Sequence, residues 1–303
     1  MTARAAGGAN ARQASLRRTA VLRRLADADE ARRRLEPAGP YVAYALAYLD
    51  ARLFPLAEFY EATAGERHGL VMHARGGLGP STLIAGEADL VAALLRLHPG
   101  PRQTFLTCES QHVDALLASH NLWRPQTMLR MQLRREAFGP PSGLPAARRL
   151  IEADAAELNR LYAIEEEGLR YSGRQVLDGV YFGAHNRGRL VAAAGTHIYS
   201  PAEGVAVIGN VFTHPDFRGR SLGTAVTAAV AAYVLERCRL VVLNVDPANR
   251  TARHIYETLG FAETGRLVEA MATRRDAAWP LPFLRRTIAR WRATEPAREV
   301  VDL

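Results

Sequence analysis

The stretch that most restricts the fold runs from Val205 to Val245. "VAVIGNVFT" reads as a strand, "GTAVTAAVAAYVLER" as an apolar helix and "LVVLNV" as a second strand, with "HPDFRGRSLG" between the first strand and the helix. Two strands joined by a helix are expected to be parallel, with a right-handed crossover. Ligands of such units sit beyond the carboxyl ends of the strands, at the helix start. There the first backbone N–H groups have no partner within the helix and the macrodipole is positive. Gly219 and Gly223 remove side chains that would keep an anion from those amides, and Arg218 and Arg220 can fork onto phosphate oxygens. The loop is built like a pyrophosphate cradle. It ends without the Gly-Lys-Ser/Thr of a P-loop and lacks G-x-G-x-x-G. A basic, glycine-rich helix start with no ligand is the competing reading.

A second motif follows. "NVDPANRTARHIYETLGF" leads from the second strand into another helix, with Asp246-Pro247 suited to begin it and Gly260 to end it. Asn249 and Tyr256 are seven residues apart, two helical turns, so both side chains should leave one face. If that face looks into the gap between the parallel strands, an amide and a phenol line one slot. A capping asparagine and a core tyrosine are the plain alternatives.

The linker "EAFGPPSGLPA" (136–146) divides the chain into halves of similar size. The first half reads as helical "YVAYALAYLDARLF", strands "LAEFYEAT", "GLVMHAR" and "STLIAG", helix "EADLVAALLRL", strand "QTFLTCE", helix "QHVDALLASHN" and strand "QTMLRMQLRRE". The second opens with a short strand "ARRLIEA" and a helix "DAAELNRLYAIEE" capped by Asp154. It then runs through a loop and short helix to strands "GVYFGAHN" and "GRLVAAAGTHIYS" and the units above, and closes on "FAETGRLVEAMA". One element order met twice points to a duplicated architecture. The expected divisions are a basic arm at 1–36, a first domain at 37–138, a linker at 139–146, a second domain at 147–275 and a tail at 276–303. In that tail "WPLPFLRRTIARWR" is amphipathic, and Phe283, Leu284, Ile288 and Trp291 are expected to pack on the body; a membrane or partner contact is the alternative.

The net charge of +8 is localised. Residues 1–34 hold nine arginines against Asp27, Asp29 and Glu30, a net of +6, which leaves +2 for the remaining 269 residues. A solvated, partly helical arm explains this; an arm touching RNA or a membrane surface is the alternative. The near-neutral body argues against a polyanionic partner, and nucleic acid is not expected. All 39 basic residues are arginine, which fits genomic base composition in a bacterial chain. Cys108 and Cys238 belong to no metal or redox spacing, no metal is expected, and no apolar run approaches a membrane helix. A cytoplasmic protein is the default.

Taken together, "FTHP", "RGRSLG" and "NRTARHIYETLGF" resemble the signature of the GNAT superfamily of acetyl-CoA-dependent N-acetyltransferases over about residues 147–275. The resemblance implies an α+β fold: a mixed, mostly antiparallel twisted sheet with flanking helices, here in two tandem copies of which the first is degenerate. "IAGEADL" stands in that first copy where a phosphate loop would be and carries acids, the wrong sign. The resemblance further implies that the backbone of Val211, Phe212 and Thr213 holds the pantetheine arm like an added strand. Arg218, Gly219, Arg220, Ser221, Leu222, Gly223 and Thr224 would hold the pyrophosphate, and Asn244 and Asn249 would contact the cofactor. Ser221 stands where the family has its first glycine; it still supplies an N–H. Tyr256 would protonate the departing CoA thiolate after direct attack by a primary amine. Asn244 occupies a position where many relatives carry a carboxylate, which leaves the base open. Glu166 with its neighbours Glu165 and Glu167, Asn210, His197, His214 and a water relay are the candidates. Acetyl-CoA and a small amine acceptor are the expected partners, with a homodimer possible in such folds. A CoA-binding regulatory protein with little turnover is the alternative function.

Overall fold

The computed structural model describes residues 19–76, 79–164, 170–275 and 299–303. The first half contributes β1 (Thr19–Leu25), α1 (Ala28–Leu35), α2 (Ala43–Ala47), β2 (Ala57–Ala64), β3 (Arg67–Ala74), β4 (Ser81–Gly86), α3 (Ala88–Leu97), β5 (Gln103–Cys108), α4 (Val113–Leu117) and β6 (His120–Leu133). The second contributes β7 (Arg148–Arg149), α5 (Ala155–Tyr162), α6 (Gly173–Asp178), β8 (Phe182–Asn186), β9 (Arg189–Ser200), β10 (Val205–Thr213), α7 (Leu222–Leu235), β11 (Leu240–Val245), α8 (Arg250–Thr258) and β12 (Ala262–Arg274). A closing strand, β13 (Glu299–Asp302), returns to the first half.

All strands join one sheet in the order β13-β1-β2-β3-β4-β5-β12-β6-β11-β10-β9-β8-β7. Among the described residues only β4–β5 and β10–β11 pair in parallel, one pair in each half, as the strand–helix–strand spacing requires. The last strands are exchanged at the centre. β12 of the second half pairs with β5 of the first, and β6 of the first pairs with β11 of the second. β6 and β12 pair with each other from His120–Arg274 to Gln132–Ala262. The duplicated, mostly antiparallel fold expected from the sequence is therefore present, as one continuous sheet whose halves complete each other.

Several local expectations need correction. The end of the supposed arm is a strand: Val21–Leu25 pair with Phe59–Thr63 of β2. Its arginines also meet the body. Arg23 and Arg34 lie 2.6 and 2.9 Å from the fully buried Glu61 carboxylate, and Arg32 pairs with Glu203. The apolar run at 41–54 is helical only over Ala43–Ala47, because Gly39 (φ +58) and Pro40 impose a 3-10 turn ahead of it. "QHVDALLASHN" likewise yields one 3-10 turn and the short α4. β6 starts at His120, before Pro125, because a bulge around Arg124 (φ +45) takes the proline out of the ladder. The amphipathic stretch 279–292 lies outside the described residues.

α7 is apolar all round and is buried along most of its length against β8, β9 and β10. The opposite face of β10 and β11 is covered from the first half: Val205, Val207 and Val242 pack with Ala43, Leu46 and Leu49 around α2. The second half's sheet is thus enclosed between its own helix and a segment of the other half. No helix among the described residues is long and apolar enough to cross a membrane.

Candidate active site

β10 and β11 run together from Val205–Leu240 to Ile208–Leu243 and then part. The cause lies on β10, whose pairing with β9 jumps from Gly209–Gly195 to Phe212–Ala193, so that Asn210 and Val211 bulge. Asn210 takes φ +54, a left-handed conformation that asparagine tolerates better than most residues. The bulge is pinned on the β9 side: Tyr162 Oη donates to the Asn210 carbonyl at 2.6 Å, and Asn210 Nδ2 donates to Tyr181 Oη at 3.3 Å. Beyond the split, Val211, Phe212 and Thr213 have β9 on one side and, among the described residues, no strand on the other. That edge can take an extended ligand as an added strand.

The loop before α7 lies at the mouth of the split. Gly219 has φ +74, and nothing lies within 4 Å of the place a Cβ would occupy. Ser221 caps α7 at φ +56 without a side-chain hydrogen bond, so a residue with a Cβ adopts the conformation the resemblance assigns to glycine. Ala225 N–H donates to the Ser221 carbonyl at 2.9 Å, which leaves the amides of Leu222, Gly223 and Thr224 without acceptors in the helix. A Cβ on Gly223 would sit 3.3 Å from Ile255 and 3.4 Å from Thr213 Oγ1, so its size sets how closely α7, α8 and the end of β10 approach. Arg218 Nε donates to the Thr213 carbonyl and Arg220 Nη2 to the Asp216 carbonyl, each at 3.3 Å. Their guanidinium groups lie over Phe212 and Phe217 and stay exposed at the rim. Open amides, open space at Gly219 and two cations fit a diphosphate.

Asn249 is the N-cap of α8: its Oδ1 accepts from Ala252 N–H at 3.0 Å. It precedes the helix, so the two-turn spacing does not put it on a helical face with Tyr256. Tyr256 is buried, with its ring edge-on to Phe261 at 5.9 Å, and burial pushes its phenol up to about 12. It is a protonated donor across the physiological range.

The candidate bases separate. Glu165, Glu166 and Glu167 lie outside the described residues. His214 Nδ1 accepts from Asp216 N–H at 3.2 Å, which makes it a loop cap. His197 packs over Gly209, whose missing side chain makes room for the ring; burial and the nearby Arg130 lower its imidazole to about 4. Asn244, at the end of β11, donates through Nδ2 to Glu269 Oε1 at 2.5 Å. Glu269 belongs to β12 and was missed from sequence. Its signal was one carboxylate inside the apolar strand run "LVEAMA". Burial raises its carboxyl above the ordinary range, against the attraction of Arg130 and the hydrogen bond from Asn244.

Arg130 is buried in the seam. Its guanidinium lies 5.7 Å from the Tyr44 ring and Nη2 donates to the Tyr41 carbonyl at 3.3 Å, while Nε and Nη1 have no partner. Asn244 Oδ1 is also unpartnered. Buried polar atoms of this kind are rare, and they mark the Asn244 side of the split as chemically unfinished.

The matching split in the first half is closed by side chains. His112 Nε2 donates to the Gly86 carbonyl at 2.7 Å while Nδ1 accepts from Glu109 N–H at 3.2 Å, which ties the ends of β4 and β5 together. Tyr41 Oη donates to the Ile84 carbonyl. Arg67 pairs with Glu87 and Asp89 at the start of α3. A cavity of about 370 Å³ beside Arg32, Glu203 and Arg239 lies at the opposite ends of β10 and β11 and takes no part in this site.

Residues 147–261 match the family model described as "Acetyltransferase (GNAT) family". Over 86 residues the chain is 40% identical to a mycothiol acetyltransferase of Thermobispora bispora, a match covering 27% of this chain and 29% of that protein. The chain therefore spans less than a third of that curated relative. Among solved structures, a Drosophila protein superposes with a TM-score of 0.62 at 16% identity, over 82% of this chain and 98% of that one. A tandem GNAT protein from the clavulanic acid biosynthesis pathway superposes at 0.51 and 17% identity, over 85% and 99%. These two likenesses concern the fold, which they extend over both halves. Residues 147–261, which hold the open split and the helix start, thus match the acetyltransferase (GNAT) family, and the chain as a whole has a fold of two GNAT-like copies.

Proposed function

We propose that the chain is an N-acyltransferase that moves an acetyl group from acetyl-CoA to a primary amine by direct attack. The observation that carries this is the conjunction at the split: unpaired amides and open space at Gly219–Thr224, beside a strand edge at Val211–Thr213 with no neighbour. The helix start and Arg218 and Arg220 bind the diphosphate, and the strand edge aligns the pantetheine. Asn249 contributes its remaining amide N–H₂ to the cofactor, and Asn244 lines the far wall. The neutral amine attacks the thioester carbonyl carbon. As the tetrahedral adduct collapses, the C–S bond breaks and Tyr256 gives its proton to the sulfur. Holding the reactants in register can supply much of the acceleration, and positioned proton transfer adds about 10²–10⁴-fold.

One double variant and one turnover assay test this. Replacing Arg218 by Ala together with Gly223 by Val should abolish calorimetric acetyl-CoA binding while circular dichroism stays native; unchanged affinity would remove the cradle. Thiol release with an amine panel separates an enzyme from a CoA-binding regulator, which would bind the donor without turning it over.

A further inference from the structure

Three strands bring unlike side chains onto one face of the seam. Residues paired across antiparallel strands share a face, so Phe105, Met271 and Trp123 stand side by side on β5, β12 and β6. All three are exposed, Trp123 at 67% and Met271 at 53%. Glu269 lies two residues before Met271 on the same face, about 7 Å along the strand. On that face exposure rises from Leu267 (1%) through the half-buried Glu269 to Met271, so the carboxylate sits at the rim between a closed interior and an open apolar shelf. Asn244, paired with Arg130 across β11 and β6, shares this face and holds the carboxylate at 2.5 Å. Glu269 thus reaches the split in β10–β11 from a strand beyond it.

Resting on the acyltransferase reading above, we propose that Glu269 receives the ammonium group of the acceptor and removes its proton, while Phe105, Met271 and Trp123 seat an apolar body on that amine. The acceptor class is a primary amine bearing an aromatic or branched aliphatic group. Glu269 takes one proton from R–NH₃⁺, and the freed lone pair forms the C–N bond. The adduct loses its second N–H proton to solvent, the C–S bond breaks, and the thiolate takes the proton of Tyr256. Glu269 and Tyr256 are restored by exchange with water, with one net proton released. Among the described residues, the charges of Arg130 on β6 and Tyr44 within α2 act on Glu269, and Tyr41 ahead of α2 and His197 on β9 interact with Arg130. None of them replaces Glu269: Arg130 is a cation, the tyrosines are pushed up by burial, and His197 is a weak base.

The experiment is steady-state thiol release with tryptamine, phenethylamine and ethanolamine, run with acetyl-CoA calorimetry on each variant. Wild type should prefer the two aryl amines at least tenfold in kcat/KM, with a low-pH fall in rate set by a carboxyl above the ordinary range. Glu269→Gln should lower kcat at least thirtyfold for every amine at neutral pH, replace the carboxyl-set low-pH fall by a rate that keeps rising with pH toward the amine's own range, and leave acetyl-CoA affinity unchanged. Trp123→Ser and Met271→Ser should raise KM for the aryl amines severalfold more than for ethanolamine, so that the preference for aryl amines shrinks. If Glu269→Gln loses the donor affinity that reports a folded domain, Glu269→Asp takes its place: it should keep the low-pH fall at reduced kcat. Wild-type kcat with an intact low-pH fall in the Gln variant, or no preference for aryl amines, overturns the proposal. Failure of the wild type to bind acetyl-CoA overturns the underlying reading instead, and calorimetry tells the two apart.

Discussion

At the scale of single residues, Ser221 and Tyr256 give the plainest expectations. Ser221 sits at φ +56 at the start of α7 with its hydroxyl unused as a cap. A left-handed conformation costs a residue with a Cβ roughly 1–2 kcal/mol, and glycine's entropy returns about half of that. Ser221→Gly should therefore raise stability by about 0.5–1 kcal/mol in urea unfolding, with donor affinity retained. Tyr256→Phe should lower turnover at least tenfold and acetyl-CoA affinity by less than twofold, since the proposed role of the phenol is on the leaving sulfur. Because its folded value is about 12, the wild-type rate should show no high-pH loss from this group below about pH 11. The start of α7 at Leu222 was legible in the sequence because a helix start needs only local signals; that its loop holds a diphosphate is the proposal. Asn249 was half legible: its type was right for a cap, but the helix begins one residue later, which voids the shared face. Glu269 was not legible as a site residue, because a strand alone does not reveal which cleft its neighbours border.

At the scale of elements, the parallel pair was readable from its strand–helix–strand spacing, while the bulge at Asn210–Val211 that opens it was not. A bulge depends on what ties the extra residues down, here Tyr162 and Tyr181. The first half's equivalent split has a different fate, with the imidazole of His112 joining Gly86 to Glu109. His112→Ala leaves a buried carbonyl and amide without partners and should cost about 2 kcal/mol or more of stability in chemical unfolding. The kinetics of the second half's site should not change. A parallel loss of acetyl-CoA turnover would assign the first split a working role.

At the scale of the whole molecule, the exchanged strands make the halves interdependent. A chain ending at residue 138 loses β12 from beside β5, and one beginning at residue 139 loses β6 from between β11 and β12. Each half made alone bares a long apolar edge and should aggregate or stay unfolded, whereas the two co-expressed should assemble. Element order showed two copies but not this exchange, because pairing across the seam joins residues far apart in sequence. Buried histidines weigh on acid stability: burial holds His73 and His197 near 4 and also lowers His98 and His120, all below the unfolded value of about 6.5. Each favours the neutral form in the fold, so its stabilisation is complete above about pH 6.5 and lost as pH falls toward 4. Urea unfolding should show stability falling as pH drops through that window. The central claim concerns the open corner at the start of α7, and calorimetric titration of acetyl-CoA into the folded 303-residue chain tests it most directly. A saturable one-site heat is the expected result; no heat at any donor concentration, from protein with native circular dichroism, would contradict it.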